Sequence, residues 1–247
     1  MPTATTQPKT YPEWAAYWAS EYGYHVFPAW IPKSGDKVPL TQWRLGGDGE
    51  RPLKERCATT DLDTIRAWFT ELRPLPEMIC FATGEPSGVW VLDLDKHGAS
   101  DGVKALAELG ELPRTRVHHT PTGGQHWFFR MPADGRTIAN DQGLESAFNR
   151  GAIEQKIPGV DVRGTGGMCV LPPSARKVKG RTMYYQIDGR TPEPQDAPGW
   201  LLDIVASDEW EVAESRGRRD ADPAVKHAAE EMDADPQRRD PRGHDRP

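Results

Sequence analysis

Cysteine is scarce in this chain: Cys57, Cys80 and Cys169 are the only three, and they lie far apart. That spacing excludes a disulfide scaffold and a Cys-based zinc site, and it points to a reducing cytoplasm. No run approaches the roughly 20 apolar residues that a membrane-spanning helix needs. The opening MPTATTQPKTYPEW lacks the charged-then-apolar order of a secretory signal. A basic excess is missing too. The 247 residues carry a net charge of −6, whereas a nucleic-acid binder ordinarily presents a basic surface. Any binding of that kind must come from a local gathering of cations.

What is present supports a packed core. Hydrophobic residues make up 36% of the chain and nine residues are Trp, enough for one domain with appendages. Residues 1–11 read as an extension, 12–207 as the folded domain and 208–247 as a charged tail. From Arg216 onward, charges of both signs alternate with Pro and Gly, and only Val225 and Met232 are large and apolar. Such a tail cannot offset its ordering entropy and is expected to be disordered, with at most a short helix at Ala224–Met232.

Helical and strand patterns interleave in the folded part. Pro12-Glu13-Trp14 opens a helix with Trp14, Tyr17 and Trp18 on one face, ending near Gly23, and Tyr24–Ala29 reads as a strand. Thr60 is expected to cap a second helix, whose stripe is Leu62, Ile65, Trp68, Phe69 and Leu72. Ser100 is expected to cap a third, carrying Val103, Leu106 and Leu109 and stopped by Gly110. Strands are predicted at Met78–Ala82, Val89–Leu94, Arg116–His119, His126–Met131, Val160–Arg163 and Met168–Leu171, and a last helix around Trp200–Ile204. Regular βαβ alternation is missing. The order therefore predicts an α+β domain around a mixed or antiparallel sheet.

Three segments carry chemistry. The strand Val89–Leu94 ends in Asp93-Leu94-Asp95, and period-two geometry puts both carboxylates on one face. Two such carboxylates repel unless a cation lies between them, which suits Mg²⁺ or Mn²⁺. Neutralising them is then expected to raise the stability of the metal-free protein. The plain alternative is a strand end whose acids cap a loop. Thr120-Pro121-Thr122-Gly123-Gly124-Gln125-His126 is a small turn feeding a strand. It is either an ordinary turn with a structural His, or a place where the backbone at Gly124 and the imidazole of His126 meet a phosphate. Asp161 and Arg163 share a strand face in Gly159–Gly164. They form a local ion pair, or supply a third metal ligand and a phosphate-binding guanidinium.

Taken together, Asp93-Leu94-Asp95, Gly124-Gln125-His126 and Val160-Asp161 resemble, in order and spacing, the three motifs of the bifunctional primase–polymerase (prim-pol) branch of the archaeo-eukaryotic primase superfamily. Val26-Phe27-Pro28, Lys37-Val38-Pro39, Ala82-Thr83-Gly84 and Pro172-Pro173-Ser174 also resemble that family, and the likeness spans roughly residues 12–205. The resemblance implies an RRM-like core with flanking helices, and a template-directed primase or DNA polymerase of plasmid, phage or mobile-element replication. It implies Asp93, Asp95 and Asp161 as catalytic metal ligands for Mg²⁺ or Mn²⁺. It implies His126 at the phosphates of the incoming nucleotide, with Gly124, Arg163 and Lys37 as further nucleotide contacts. Single-stranded DNA and nucleoside triphosphates would be the substrates. Many relatives carry a helicase or helix-bundle domain after this one, or a Cys-based zinc element, and neither is seen here, so unaided de novo priming is not expected, and a separate helicase is a candidate partner. For template contacts, charge alone offers Arg114, Arg116, Arg130, Lys156, Arg176, Lys177 and Lys179. The competing readings are a metal-dependent phosphodiesterase or nuclease, and a non-catalytic DNA-binding replication module.

Overall fold

The computed structural model describes residues 8–32, 37–41, 57–98, 100–190 and 192–207. The tail at 208–247, with its expected short helix, lies outside the described residues. The chain divides into two units, Met1–Ala206 and Ser207–Pro247, and everything below concerns the first. No helix among the described residues is long and apolar enough to cross a membrane.

Helix α1 (Tyr11–Tyr22) starts at Thr10, whose hydroxyl accepts from the Glu13 N–H while the Glu13 carboxylate accepts from the Thr10 N–H. This reciprocal cap satisfies two donors that the first turn would leave orphaned. Strand β1 (Val26–Trp30) follows, then β2 (Val38–Pro39). Helix α2 (Leu62–Glu71) is capped by Asp61 and not by Thr60, because the Asp61 carboxylate takes the Thr64 N–H at 2.7 Å. The same one-residue shift recurs at α3 (Gly102–Leu109), where Asp101 and not Ser100 accepts from the Lys104 N–H. A carboxylate binds the electropositive first turn more strongly than the neighbouring hydroxyl does.

Between these helices run β3 (Met78–Ala82) and β4 (Val89–Leu94). After α3 come β5 (Arg116–His119), β6 (Gln125–Arg130), the short α4 (Glu145–Asn149), β7 (Val160–Arg163) and β8 (Met168–Leu171). The chain then makes a ribbon of β9 (Ala175–Val178) and β10 (Arg181–Tyr184), a short β11 (Gln186–Ile187) and α5 (Gly199–Val205). Two sheets result, ordered β8-β3-β1-β2 and β7-β4-β6-β5-β11. Every ladder within them is antiparallel, so the domain is α+β.

Strand β4 is buried on both faces, and its alternation explains the layers. Trp90, Leu92 and Leu94 point to an apolar cluster with Phe129, Val160 and Val162, closed by Leu106 of α3, Ala147 of α4 and Leu201 of α5. Val89 and Val91 point the other way, into the core shared with the first sheet and with α1 and α2. There, Tyr24 stacks on Phe81 of β3 with ring centroids 4.7 Å apart, and Phe81 lies 5.9 Å from Phe128 of β6. These rings join the two sheets through large apolar contact area. The row that begins Val89, Val91 continues to Asp93. The first carboxylate thus emerges from the layer between the sheets.

Candidate active site

Asp93 is flanked across both ladders. Its register partner on β7 is Asp161, and its partner on β6 is His126. Three adjacent strands therefore place two carboxylates and an imidazole side by side on one face, with Arg163 next along β7 opposite Val91. Asp95 follows the strand end and joins the group: Asp93, Asp95 and Asp161 offer oxygens that all lie within 4.8 Å of one another.

Asp93 and Asp161 are buried, Asp95 is half-buried, and the chain itself partly compensates them. The Arg163 guanidinium donates to Asp93 Oδ2 from Nε at 3.2 Å and from Nη2 at 3.0 Å, and to Asp161 Oδ2 at 2.9 Å. Asp161 Oδ1 accepts the Gly143 N–H at 2.8 Å. His126 is only 3% exposed. Its Nε2 lies 3.3 Å from Asp93 Oδ1, and its Nδ1 lies 3.1 Å from the Cys169 sulfur on β8. The Tyr185 ring lies 5.7 Å from the imidazole.

This arrangement splits the titration of the two buried acids. Burial pushes the Asp93 carboxyl up, but the positive charge of His126, helped by Arg163 and Lys37, more than offsets that and holds it well below the usual carboxylate range. Asp161 moves the other way. Burial raises it, the Gly143 N–H and Arg163 oppose, and the charges of Asp93 and Asp95 add to the rise. Burial disfavours the His126 imidazolium, yet the Cys169 sulfur and the Asp93 carboxylate raise it to about 10.

The structure brings together five of the residues predicted from sequence: Asp93, Asp95, Asp161, His126 and Arg163. The Asp161–Arg163 ion pair is formed, and the same guanidinium reaches Asp93. Lys37 is exposed at the start of β2, with its charge felt at Asp93. Gly124 sits one turn away with its N–H donated to Thr120 Oγ1 at 3.0 Å. A Cβ there would stand 2.3 Å from the Leu94 carbonyl oxygen, so close approach to β4 accounts for the glycine.

Sequence reasoning missed Cys169, because a cysteine 43 residues from its His partner has no spacing signature. It also missed what holds the turn between β7 and β8. Thr83 Oγ1 donates to the Gly164 carbonyl at 2.7 Å, and Asn140 Oδ1 accepts the Gly164 N–H at 3.0 Å. A Cβ on Gly164 would lie 2.2 Å from the Ile138 carbonyl. The Ala82-Thr83-Gly84 segment thereby fixes the strand that carries Asp161 and Arg163.

A search of curated protein sequences finds no match to the chain. A family model does match. It describes the N-terminal domain of bifunctional DNA primase/polymerases and covers residues 15–200, which includes every residue of the acidic site. With well over half of the chain covered, the protein belongs to the bifunctional DNA primase/polymerase (prim-pol) family.

Proposed function

We propose that this chain is a template-directed nucleotidyltransferase, a primase or DNA polymerase serving the replication of a plasmid, phage or mobile element. The observation that carries the reading is the convergence of Asp93, Asp95 and Asp161 beside His126 and Arg163. A non-catalytic DNA-binding module gains nothing from gathering carboxylates where phosphates must come. The finer fold reading is an RRM-like core, in which β7-β4-β6-β5 is the four-stranded sheet, α3 and α4 are the two helices of its βαββαβ order, and α5 packs on the same apolar cluster.

The acids suit a divalent cation. Three carboxylates this close form an all-oxygen donor set of the kind hard ions such as Mg²⁺ and Mn²⁺ prefer. The guanidinium of Arg163 already lies across two of them as a stand-in positive charge. Divalent ions held by Asp93, Asp95 and Asp161 would activate the attacking 3′-hydroxyl and stabilise the leaving pyrophosphate.

The other residues position and neutralise. His126 keeps Asp93 ionised and oriented, and its positive charge acts on the phosphates of the incoming nucleotide across that carboxylate. Arg163, whose side chain is one-third exposed, offers its remaining N–H groups to a phosphate, and Lys37 adds charge at the rim. Preorganised cations of this sort stabilise developing charge without reorganising at the moment of reaction. The substrates are single-stranded DNA and nucleoside triphosphates, the compartment is the cytoplasm, and a separate helicase supplies unwinding. Metal-bound water would serve a nuclease without an imidazole base, so His126, whose nitrogens meet Asp93 and Cys169, does not separate the two chemistries. The family match supports transfer to a nucleotide end over hydrolysis.

The test is incorporation. Purified protein, template and all eight nucleotides are incubated with Mg²⁺ or Mn²⁺, with and without primer, and products are sized. Extension by the parent and none by Asp93→Asn/Asp95→Asn is expected. Extension by the double variant at the parent's rate sinks the assignment of the acids.

A further inference from the structure

Seven basic side chains stood as template contacts on charge alone, and the fold sorts them. Arg116 is buried, paired with Glu193 at 2.6 Å and stacked over Tyr22. Arg130 is paired with Asp196, Lys156 with Glu145, and Arg114 donates to the Arg190 carbonyl. Arg176, Lys177 and Lys179 remain, and they share one ribbon with Arg181. No carboxylate pairs with any of these four among the described residues.

The ribbon stands out in an otherwise acidic chain. Residues 164–187 contain no Asp or Glu at all, whereas the whole chain carries −6. Strand pairing sets Arg176 opposite Met183, Lys177 opposite Thr182 and Val178 opposite Arg181, with Lys179 in the turn. Exposed apolar groups lie among the cations: Tyr184 is 53% exposed and Met183 is 43% exposed. A polyanion with flat, stackable faces is the partner that such a surface complements.

Its position supplies the second argument. The ribbon grows out of the wall of the acidic site. Strand β8, which holds Cys169 against His126, leads through Pro172-Pro173-Ser174 into β9. The other strand returns at Tyr185, whose N–H donates to the Ser174 carbonyl at 2.8 Å and whose ring faces His126. A strand lying along the ribbon is thereby led to the carboxylates.

We propose that the β9–β10 ribbon is the surface that holds the single-stranded template, on the face that Lys177 and Tyr184 share, with Lys177 and the turn residue Lys179 on its phosphates and Tyr184 under a base. The identification of that strand as template rests on the nucleotidyltransferase reading above; its identity as single-stranded nucleic acid rests on the ribbon.

The experiment titrates labelled single-stranded DNA into the full chain at several salt concentrations, in EDTA. The parent is compared with Lys177→Gln/Lys179→Asn and with Tyr184→Ala, and binding of a labelled nucleotide without DNA is measured in parallel. Each phosphate contact on a single strand adds about 0.7 to the slope of log affinity against log salt, so the double variant's slope should fall by about 1.4. Tyr184→Ala should lose roughly tenfold in affinity at an unchanged slope. Nucleotide binding should match the parent in both variants. A double variant that keeps the parent's slope overturns the proposal, and so does a parent that binds no single-stranded DNA at low salt. A parent that binds DNA through the ribbon but incorporates nothing sinks the nucleotidyltransferase reading and leaves the ribbon's assignment standing.

Discussion

An Asp93→Asn substitution removes one charge from a carboxylate that the sequence alone would have judged repelled by its neighbours. On that ground the metal-free protein should gain stability. The geometry reverses the sign. Asp93 receives His126 Nε2 on one oxygen and two N–H groups of Arg163 on the other. Its carboxyl is held below the usual range, so its contribution is present at neutral pH and is lost only on acidification. An asparagine keeps one acceptor and turns a donor toward either the imidazole or the guanidinium. At about 1.5–3 kcal/mol for a charge-assisted hydrogen bond, losing one and facing a donor with a donor costs about 2–4 kcal/mol. For a domain of this size that is a drop in Tm of about 5–15 °C. Asp161 provides the internal control. Its carboxyl is raised by burial and by the other two acids, so Asp161→Asn relieves a penalty while losing the Arg163 contact. The expected net change is within about 1 kcal/mol. The assay is thermal unfolding of parent, Asp93→Asn and Asp161→Asn in EDTA at pH 7. Asp93→Asn melting at or above the parent would refute the claim that His126 and Arg163 compensate the acid in the absence of metal.

Two further outcomes follow from buried titratable groups. His126 is raised from 6.5 to about 10 in the fold; its contribution is fully present below the unfolded value and is lost as pH climbs toward 10, with a limiting slope of about 1.4 kcal/mol per unit. The Tm of the parent in EDTA should therefore fall from pH 7 to 10 more steeply than that of His126→Gln, and parallel profiles would refute the charged pair. His118 is buried between Trp18 and Phe128 with neither ring nitrogen partnered among the described residues, and burial drives its value well below the ordinary one. His118→Leu should raise stability by about 1–3 kcal/mol by removing unsatisfied polar atoms, and a lowered Tm would show that the ring's packing outweighs its polarity.

The parts of this fold that the sequence disclosed are those where local pattern and tertiary demand coincide. Val89–Leu94 and Met78–Ala82 were legible to the residue because each is short, led by an apolar run (Val89–Leu92 and Met78–Ala82) and flanked by Gly or Pro, which favours a strand buried on both faces over a helix. Period-two geometry also put Asp93 with Asp95, and Asp161 with Arg163, on common faces before any sheet was known. It could not say that these faces point at the partner sheet, since a strand apolar on both sides carries no label for inside. The β9–β10 ribbon escaped detection for the opposite reason. Its residues are mostly exposed and lack alternation, so nothing in Ala175–Tyr184 distinguishes a hairpin from a loop. Helix α4 escaped because five residues capped by Asp141 at a distance leave almost no periodic trace. Arg116 looked like any other cation; only the fold shows it buried under Tyr22.

The acidic balance of the chain, which argues against nucleic-acid binding when it is summed, loses that force once charge is mapped. Several acids are locally paired: Arg163 bridges Asp93 and Asp161, Arg116 meets Glu193, Arg130 meets Asp196 and Lys156 meets Glu145. Screening in water leaves such compensated pairs little field beyond about 10 Å. A polyanion approaching the ribbon responds to what is uncompensated within that distance. There the ribbon offers four cations on an acid-free stretch. Long-range repulsion from a net charge of −6 then lowers the rate of encounter at low salt, while the short-range contacts set the lifetime once the strand has arrived. Binding governed in this way weakens with salt through the ribbon's few phosphate contacts alone, which ties the affinity of the protein to one hairpin and not to its overall charge.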